Sequence, residues 1–152
     1  MRLNARVDYA LRAVAELAAA GASAEAPVTA DRLAAAQDIP PKFLESILLQ
    51  LRRAGIVHSQ RGPEGGYWLA KPAAETSLAD IIRVIDGPLA NVRGQRPEQV
   101  DYQGAAAALQ DVWIALRASE REILEQVTVA DVASGRLPKR VRALAADPRA
   151  WV

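Results

Sequence analysis

The sequence predicts a mostly α-helical chain, with one short two-stranded β-hairpin in its first half and one long helix in its second. Three observations carry that reading. Alanine supplies 32 of the 152 residues. It is the best helix former and adds little core volume, so the helices should pack closely. Apolar residues recur at helical spacing along most of the chain. The departure is residues 56–70, where a β-branched start, a glycine-rich turn and an aromatic return come one after another.

The spacing of Val7, Leu11, Val14 and Leu17 predicts a helix over residues 6–20. Residues 21–27 are a small-residue linker. Thr29 is an N-cap, with Asp31 in the first turn, for a short helix to about residue 36. Gln37-Asp38-Ile39 makes a tight connection. Pro40-Pro41 then opens a helix over 41–54 whose apolar stripe is Leu44, Ile47, Leu48 and Leu51. Gly55 stands at the C′ position, with Ile56 as its hydrophobic partner. The turn and third helix have helix-turn-helix dimensions, a weak signal alone because helical pairs with short turns are common.

Residues 56–70 sharpen that signal. Ile56-Val57-His58-Ser59-Gln60 and Tyr67-Trp68-Leu69-Ala70 flank Arg61-Gly62-Pro63-Glu64-Gly65-Gly66, which is turn chemistry throughout. A hairpin directly after a helix-turn-helix is a wing. Ser77 caps a helix bearing Leu78, Ile81, Ile82 and Ile85, which ends at Asp86-Gly87-Pro88. Residues 89–103 lack periodicity and read as a long loop. A helix is predicted over 104–127, with Leu109, Val112, Trp113, Leu116, Ile123 and Val127 on its apolar face and Ile114 and Leu124 widening it. At roughly 35 Å it outreaches a compact domain of this size, so it is expected to pair with its copy in a homodimer. Residues 128–134 start one more short helix, and 135–152 read as frayed or loosely docked. The organisation is thus 1–88, a winged helix-turn-helix; 89–103, a loop; 104–134, a dimerisation region; and 135–152, a tail.

Composition removes several chemistries. Cysteine is absent, so disulfides, thiol catalysis and thiolate-held zinc or iron–sulfur clusters are excluded. One histidine, His58, excludes multi-histidine metal sites; it reads as a surface residue of the first wing strand. No Ser/His/Asp set or phosphate loop is present, and no enzyme and no cofactor are expected. Gly62-x-x-Gly65-Gly66 precedes no helix and is hairpin chemistry. Glu120 and Glu122 lie on a surface helix. No apolar run approaches the roughly 20 residues of a membrane span, and Met1-Arg2-Leu3-Asn4 has no signal-peptide pattern. A soluble cytoplasmic chain is expected. The net charge of +1 is uninformative, but residues 39–72 carry five Lys/Arg against two Glu, a basic stretch over the third helix and wing.

The core stripe turns Lys42, Glu45, Ser46, Gln50 and Arg53 outward. Lys42 can meet a phosphate at the helix start, Glu45 can accept from cytosine N4, and Ser46 and Gln50 can read edges or phosphates. The plainer alternative is a solvated helix face. Arg61 at the wing tip suits a minor groove, where negative potential is focused. Arg2, Arg6, Arg52 and Arg53 are candidate phosphate clamps. Tyr9 is a phosphate donor or a core tyrosine. Trp113 is core, interface or part of a ligand pocket.

Met1-Arg2-Leu3, Tyr9-Ala10-Leu11-Arg12-Ala13, Leu44-Glu45, Leu51-Arg52-Arg53-Ala54-Gly55-Ile56-Val57, Arg61-Gly62-Pro63-x-Gly65-Gly66-Tyr67-x-Leu69 and Leu78-Ala79-Asp80-Ile81-Ile82-x-x-Ile85-Asp86-Gly87-Pro88 together resemble the Rrf2 family of bacterial winged-helix regulators. The resemblance covers most of residues 1–88. It implies a homodimeric repressor or activator, expected here to be a repressor, on partly palindromic operator DNA, with Gly62, Pro63, Gly65 and Gly66 shaping the wing. It implies a base-selecting role for Glu45. Phe43 stands where the family often has a phosphate-donating tyrosine and cannot donate. Glu64 is a departure that weakens the field at the wing tip. Many members hold a 2Fe–2S or 4Fe–4S cluster on three cysteines in the loop matching residues 89–103; this loop has none, so the signal stays open. A protein-docking module is the alternative, as is a regulator with a small-molecule or protein effector, the small molecule held near Trp113 and the loop.

Overall fold

The computed structural model describes residues 1–151. In chain order its elements are α1 (Ala5–Ala19), α2 (Ala30–Gln37), α3 (Pro41–Arg53), β1 (Val57–Gln60), β2 (Gly66–Leu69), α4 (Leu78–Asp86), α5 (Leu109–Leu124), α6 (Val129–Ser134) and α7 (Lys139–Ala145). The chain is mostly helical with one two-stranded antiparallel sheet, a winged helix-turn-helix.

Helix α1 is the axle of the fold. Asn4 caps it, its side chain accepting from the Val7 amide at 2.9 Å. Ala10 and Ala13 are fully buried on its inner face beside Val14 and Leu17. Their small side chains let α2, α3, α4 and α6 all pack against this one helix. Thr29 caps α2 by accepting from the Arg32 amide. Asp38 then takes a left-handed conformation (φ 49°) and reverses the chain into α3. Leu44, Ile47, Leu48 and Leu51 are fully buried, each contributing about 1.5–3 kcal/mol relative to exposure. The end of α3 is a Schellman motif: Ile56 N–H donates to the Leu51 carbonyl and Gly55 N–H to that of Arg52.

The hairpin pairs Val57 with Leu69, His58 with Trp68, Ser59 with Tyr67 and Gln60 with Gly66. Val28, in the stretch before α2, forms a bridge with Tyr67 on the other edge of β2, at 3.0 and 2.8 Å. Ser77 and Asp80 close a capping box on α4.

The second half departs from expectation in two ways, the length of its long helix and the placement of Val127 and Val129. The long helix is α5, 16 residues rather than the span 104–127. Gly104 adopts φ 57° and starts a separate 3-10 turn, Gly104–Ala106, so the α-helical ladder begins only after the alanine run. The loop 89–103 is built, with a 3-10 turn at Pro97–Gln99 and a two-bond turn between Val92 and Gln95. Val127 and Val129 close back onto the winged-helix core. Leu78 N–H donates to the Val127 carbonyl, Val129 N–H donates to that of Thr76, and α6 packs on α1. Val127 itself is 3% exposed within its own protomer, which removes it from the candidate dimerisation face. The tail, read as frayed or loosely docked, forms α7 and a 3-10 turn at Pro148–Trp151, neither of which buries a residue; Val152 lies outside the described residues. No helix among the described residues is long and apolar enough to cross a membrane.

Candidate nucleic-acid interface

With its apolar stripe sunk in the core, α3 presents Lys42, Glu45, Ser46 and Arg53 to solvent, and Gln50 half-buried at the flank. Lys42, Glu45, Arg53, Arg61 and Arg2 are exposed and hold no ion pair among the described residues. Their charges are therefore available to a partner.

Five of the expected residues converge in one cluster where α1 crosses α3. The Arg6 guanidinium donates to Gln50 Oε1 at 3.1 and 2.8 Å, to Ser46 Oγ at 2.9 Å and to the Ser46 carbonyl at 3.3 Å. It also lies 5.8 Å from the centre of the Phe43 ring. Tyr9 meets Phe43 edge-on at 5.4 Å, so the residue that cannot donate to a phosphate packs against the aromatic of α1 instead. Gln50 Nε2 donates to the Val84 carbonyl of α4 at 2.8 Å. Arg6 and Gln50, expected to reach toward a duplex, bond chiefly to each other and to the neighbouring helices. They hold α3 in place.

The wing is shaped by its glycines. Gly62 turns the chain at φ 105°. Gly65 and Gly66 are constrained by close backbone approach: a Cβ on Gly66 would stand 2.6 Å from the Val28 carbonyl carbon, and one on Gly65 only 2.1 Å from the Gln60 oxygen. These two therefore shape the wing from inside it, while Arg61, Gly62, Pro63 and Glu64 form its exposed tip. Arg52 donates to Ser59 Oγ at 3.3 Å and ties the end of α3 to β1. The bridge from Val28 was not anticipated. Its signal is a lone β-branched residue between Pro27 and Thr29, too short to read as a strand.

Helix α5 carries no buried residue. Leu109, Val112 and Leu116 are exposed, with Val112 at 52%, and Ile114 is exposed beside them. Trp113 and Ile123 are half-buried. The Trp113 indole N–H donates to the Tyr102 hydroxyl at 3.0 Å, and Gln110 donates to the Val100 carbonyl at 2.9 Å, which docks the loop on α5.

The donor set of the loop does not fit an iron–sulfur cluster. It has no cysteine, Glu98 is paired with Arg117, and Asp101 accepts from Gln103. Among the described residues no group of three or more His, Cys, Asp or Glu could hold a metal ion.

Comparison with known proteins agrees with this geometry. The family model Rrf2, described as an iron-dependent transcriptional regulator, matches residues 3–135. An HTH-type transcriptional regulator of Mycobacterium tuberculosis is 53% identical over 150 residues, covering 99% of this chain and 92% of that one. The HTH-type transcriptional regulator CymR of Bacillus subtilis is 31% identical over 134 residues, covering 88% and 91%. Its solved structure, described as that of the global cysteine regulator of B. subtilis, superposes with a TM-score of 0.73 over 88% of this chain and 97% of that one, at 30% identity. The solved T. potens IscR gives 0.70 at 28% identity over 100% and 97%.

Proposed function

The chain belongs to the Rrf2 family of transcriptional regulators, which are not enzymes, and from that premise we propose that it is a homodimeric, sequence-specific repressor that works without an iron–sulfur cluster. The observation that carries the DNA contact is the outer face of α3. Its charged side chains are unpaired while its opposite face is wholly buried, and Arg61 is presented on the adjoining wing.

Each subunit lays α3 in a major groove and Arg61 in the neighbouring minor groove. Lys42, Arg53 and Arg2 neutralise phosphates, and Ser46 keeps its exposed edge toward the groove. Glu45 selects a base, since a carboxylate among phosphates lowers affinity unless it accepts from cytosine N4. Dimerisation through Leu109, Val112, Trp113, Leu116 and Ile123 sets the spacing. The operator is accordingly a pseudo-palindrome with half-sites about one helical turn or more apart, and affinity falls steeply with salt.

Selection of bound fragments from genomic DNA tests this reading. Against the selected site, Arg61→Ala is expected to lower affinity about tenfold or more, consistent with the loss of a desolvated groove contact. Glu45→Ala is expected to relax preference at one base pair while changing overall affinity less. A selection without an enriched sequence, together with a stable complex with another protein, would instead favour a protein-docking module.

A responsive regulator is supported by one further feature. The loop 89–103 and α5 line a cavity of about 500 Å³ beside Trp113, to which Met1, Arg2 and Leu3 also contribute. That volume is in the range of small-molecule sites.

A further inference from the structure

On the other side of Pro88 and Leu89 lies a second cavity, of about 470 Å³, lined by Arg83, Arg96, Arg117 and Arg121 together with Gly87, Pro88 and Leu89. Arg83 comes from the last turn of α4, Arg96 from the loop, and Arg117 and Arg121 from α5, one turn apart. Four guanidinium groups from three segments converge on one space. Two carboxylates stand among them. Glu98 pairs with Arg117, and Glu125 pairs with Arg83 and, at 2.9 Å, with Arg121. Hydrogen bonds from Arg83 and then Arg121 hold the Glu125 carboxyl below its ordinary range. Four positive charges against two negative leave a formal excess of two. Arg96 has no ion pair and donates no side-chain hydrogen bond among the described residues.

Each guanidinium carries five N–H donors in a planar fork suited to carboxylate or phosphate oxygens. Bonds within the protein use one donor each on Arg83, Arg117 and Arg121 and none on Arg96. The remaining donors are unsatisfied by protein, and the two carboxylates offset only half of the positive charge around the space. Pro88 and Leu89 add an apolar wall that free inorganic ions do not need.

We propose that this cavity binds a small organic anion with two or more negative charges, a phosphate ester or a di- or tricarboxylate, and that it is an effector site of the regulator, separate from the cavity beside Trp113. The effector role, though not the binding itself, rests on the proposed DNA-binding function. The route to DNA is short. Arg83 adjoins Val84, whose carbonyl accepts from Gln50 on α3. An anion drawing Arg83 toward Arg117 and Arg121 pulls α4 against α5 and loads the contact that seats α3.

The test is calorimetric titration of the full-length protein, without DNA, at constant ionic strength. Inorganic pyrophosphate probes the phosphoryl chemistry, citrate the carboxylate chemistry, and acetate serves as the single-charge control. Pyrophosphate or citrate is expected to bind at least tenfold more tightly than acetate, and the pair Arg96→Gln with Arg121→Gln to remove that advantage. Arg96→Gln alone breaks no bond within the protein, is expected to weaken binding severalfold, and stands in if the pair unfolds. If neither probe outbinds acetate, or if binding survives in the variants, the site is overturned. DNA affinity for the selected fragment, with and without the bound probe, is read separately. A shift of threefold or more in the parent and none in the variant is expected, and an unchanged affinity overturns the effector role. Because the titration contains no DNA, a failure of the DNA-binding reading leaves its result intact.

Discussion

Gln50 joins three helices through one side-chain amide: its oxygen accepts from Arg6 on α1 and its nitrogen donates to the Val84 carbonyl on α4. Both partners are held where water is only partly excluded, and removing the amide leaves the Val84 carbonyl without a mate and the Arg6 fork with only its two bonds to Ser46. Gln50→Ala is expected to destabilise the protein by about 1–3 kcal/mol, measured by urea unfolding, with base preference in a binding assay retained at the pairs Glu45 reads. An unchanged urea midpoint would show that the amide carries no structural weight. The sequence makes the buried side of α3 readable, because Leu44, Ile47, Leu48 and Leu51 repeat at the helical period. It leaves the role of Gln50 open. The partners lie 44 and 34 positions away, and a glutamine beside a core stripe looks the same whether it meets a base or a neighbouring helix.

The elements divide along the same line. Helices with a local signature lie close to their predicted bounds, as Thr29, Ser77 and Gly55 mark their ends by chemistry within three residues. The wing was legible from its turn residues, but its third contact was not, since one bridge at Val28 has no periodicity. That bridge explains why position 66 is glycine. A methyl there meets the Val28 backbone at 2.6 Å, and backbone on both sides leaves nothing to yield. Gly66→Ala is expected to cost about 1–3 kcal/mol, in the range of overpacked cores, and to weaken DNA binding by freeing the hairpin from the linker. Unfolding curves and fragment affinity check the two effects, and a variant matching the parent in both would mean that the wing has slack. Helix α5 is shorter than its composition suggests because four consecutive alanines, 105–108, extend the helical composition without committing the backbone after Gly104.

At the scale of the molecule, the exposed apolar face of α5 is the largest feature one protomer leaves unexplained. Val112 is half exposed and touches no core, so a charge there should leave the folded protomer as stable as before. Val112→Glu is expected to shift the protein from dimer to monomer in sedimentation equilibrium and to lower operator affinity by more than tenfold, because two half-sites are then bound separately. A dimer that persists would place the interface elsewhere. The grouping of residues into a head and a dimerisation region was only half legible. Periodicity marks Val127 and Val129 as apolar, yet only the bridge from Thr128 back to Ser77 shows that they close the head's core. That return has a mechanical outcome. The chain leaves the head after Leu89 and rejoins it at Val127, so α5 is a handle clamped at its far end to the body it turns. Twisting the paired handles would swing each reading head as a rigid block, altering the stride between the two footprints on the duplex while leaving each grip's own shape untouched.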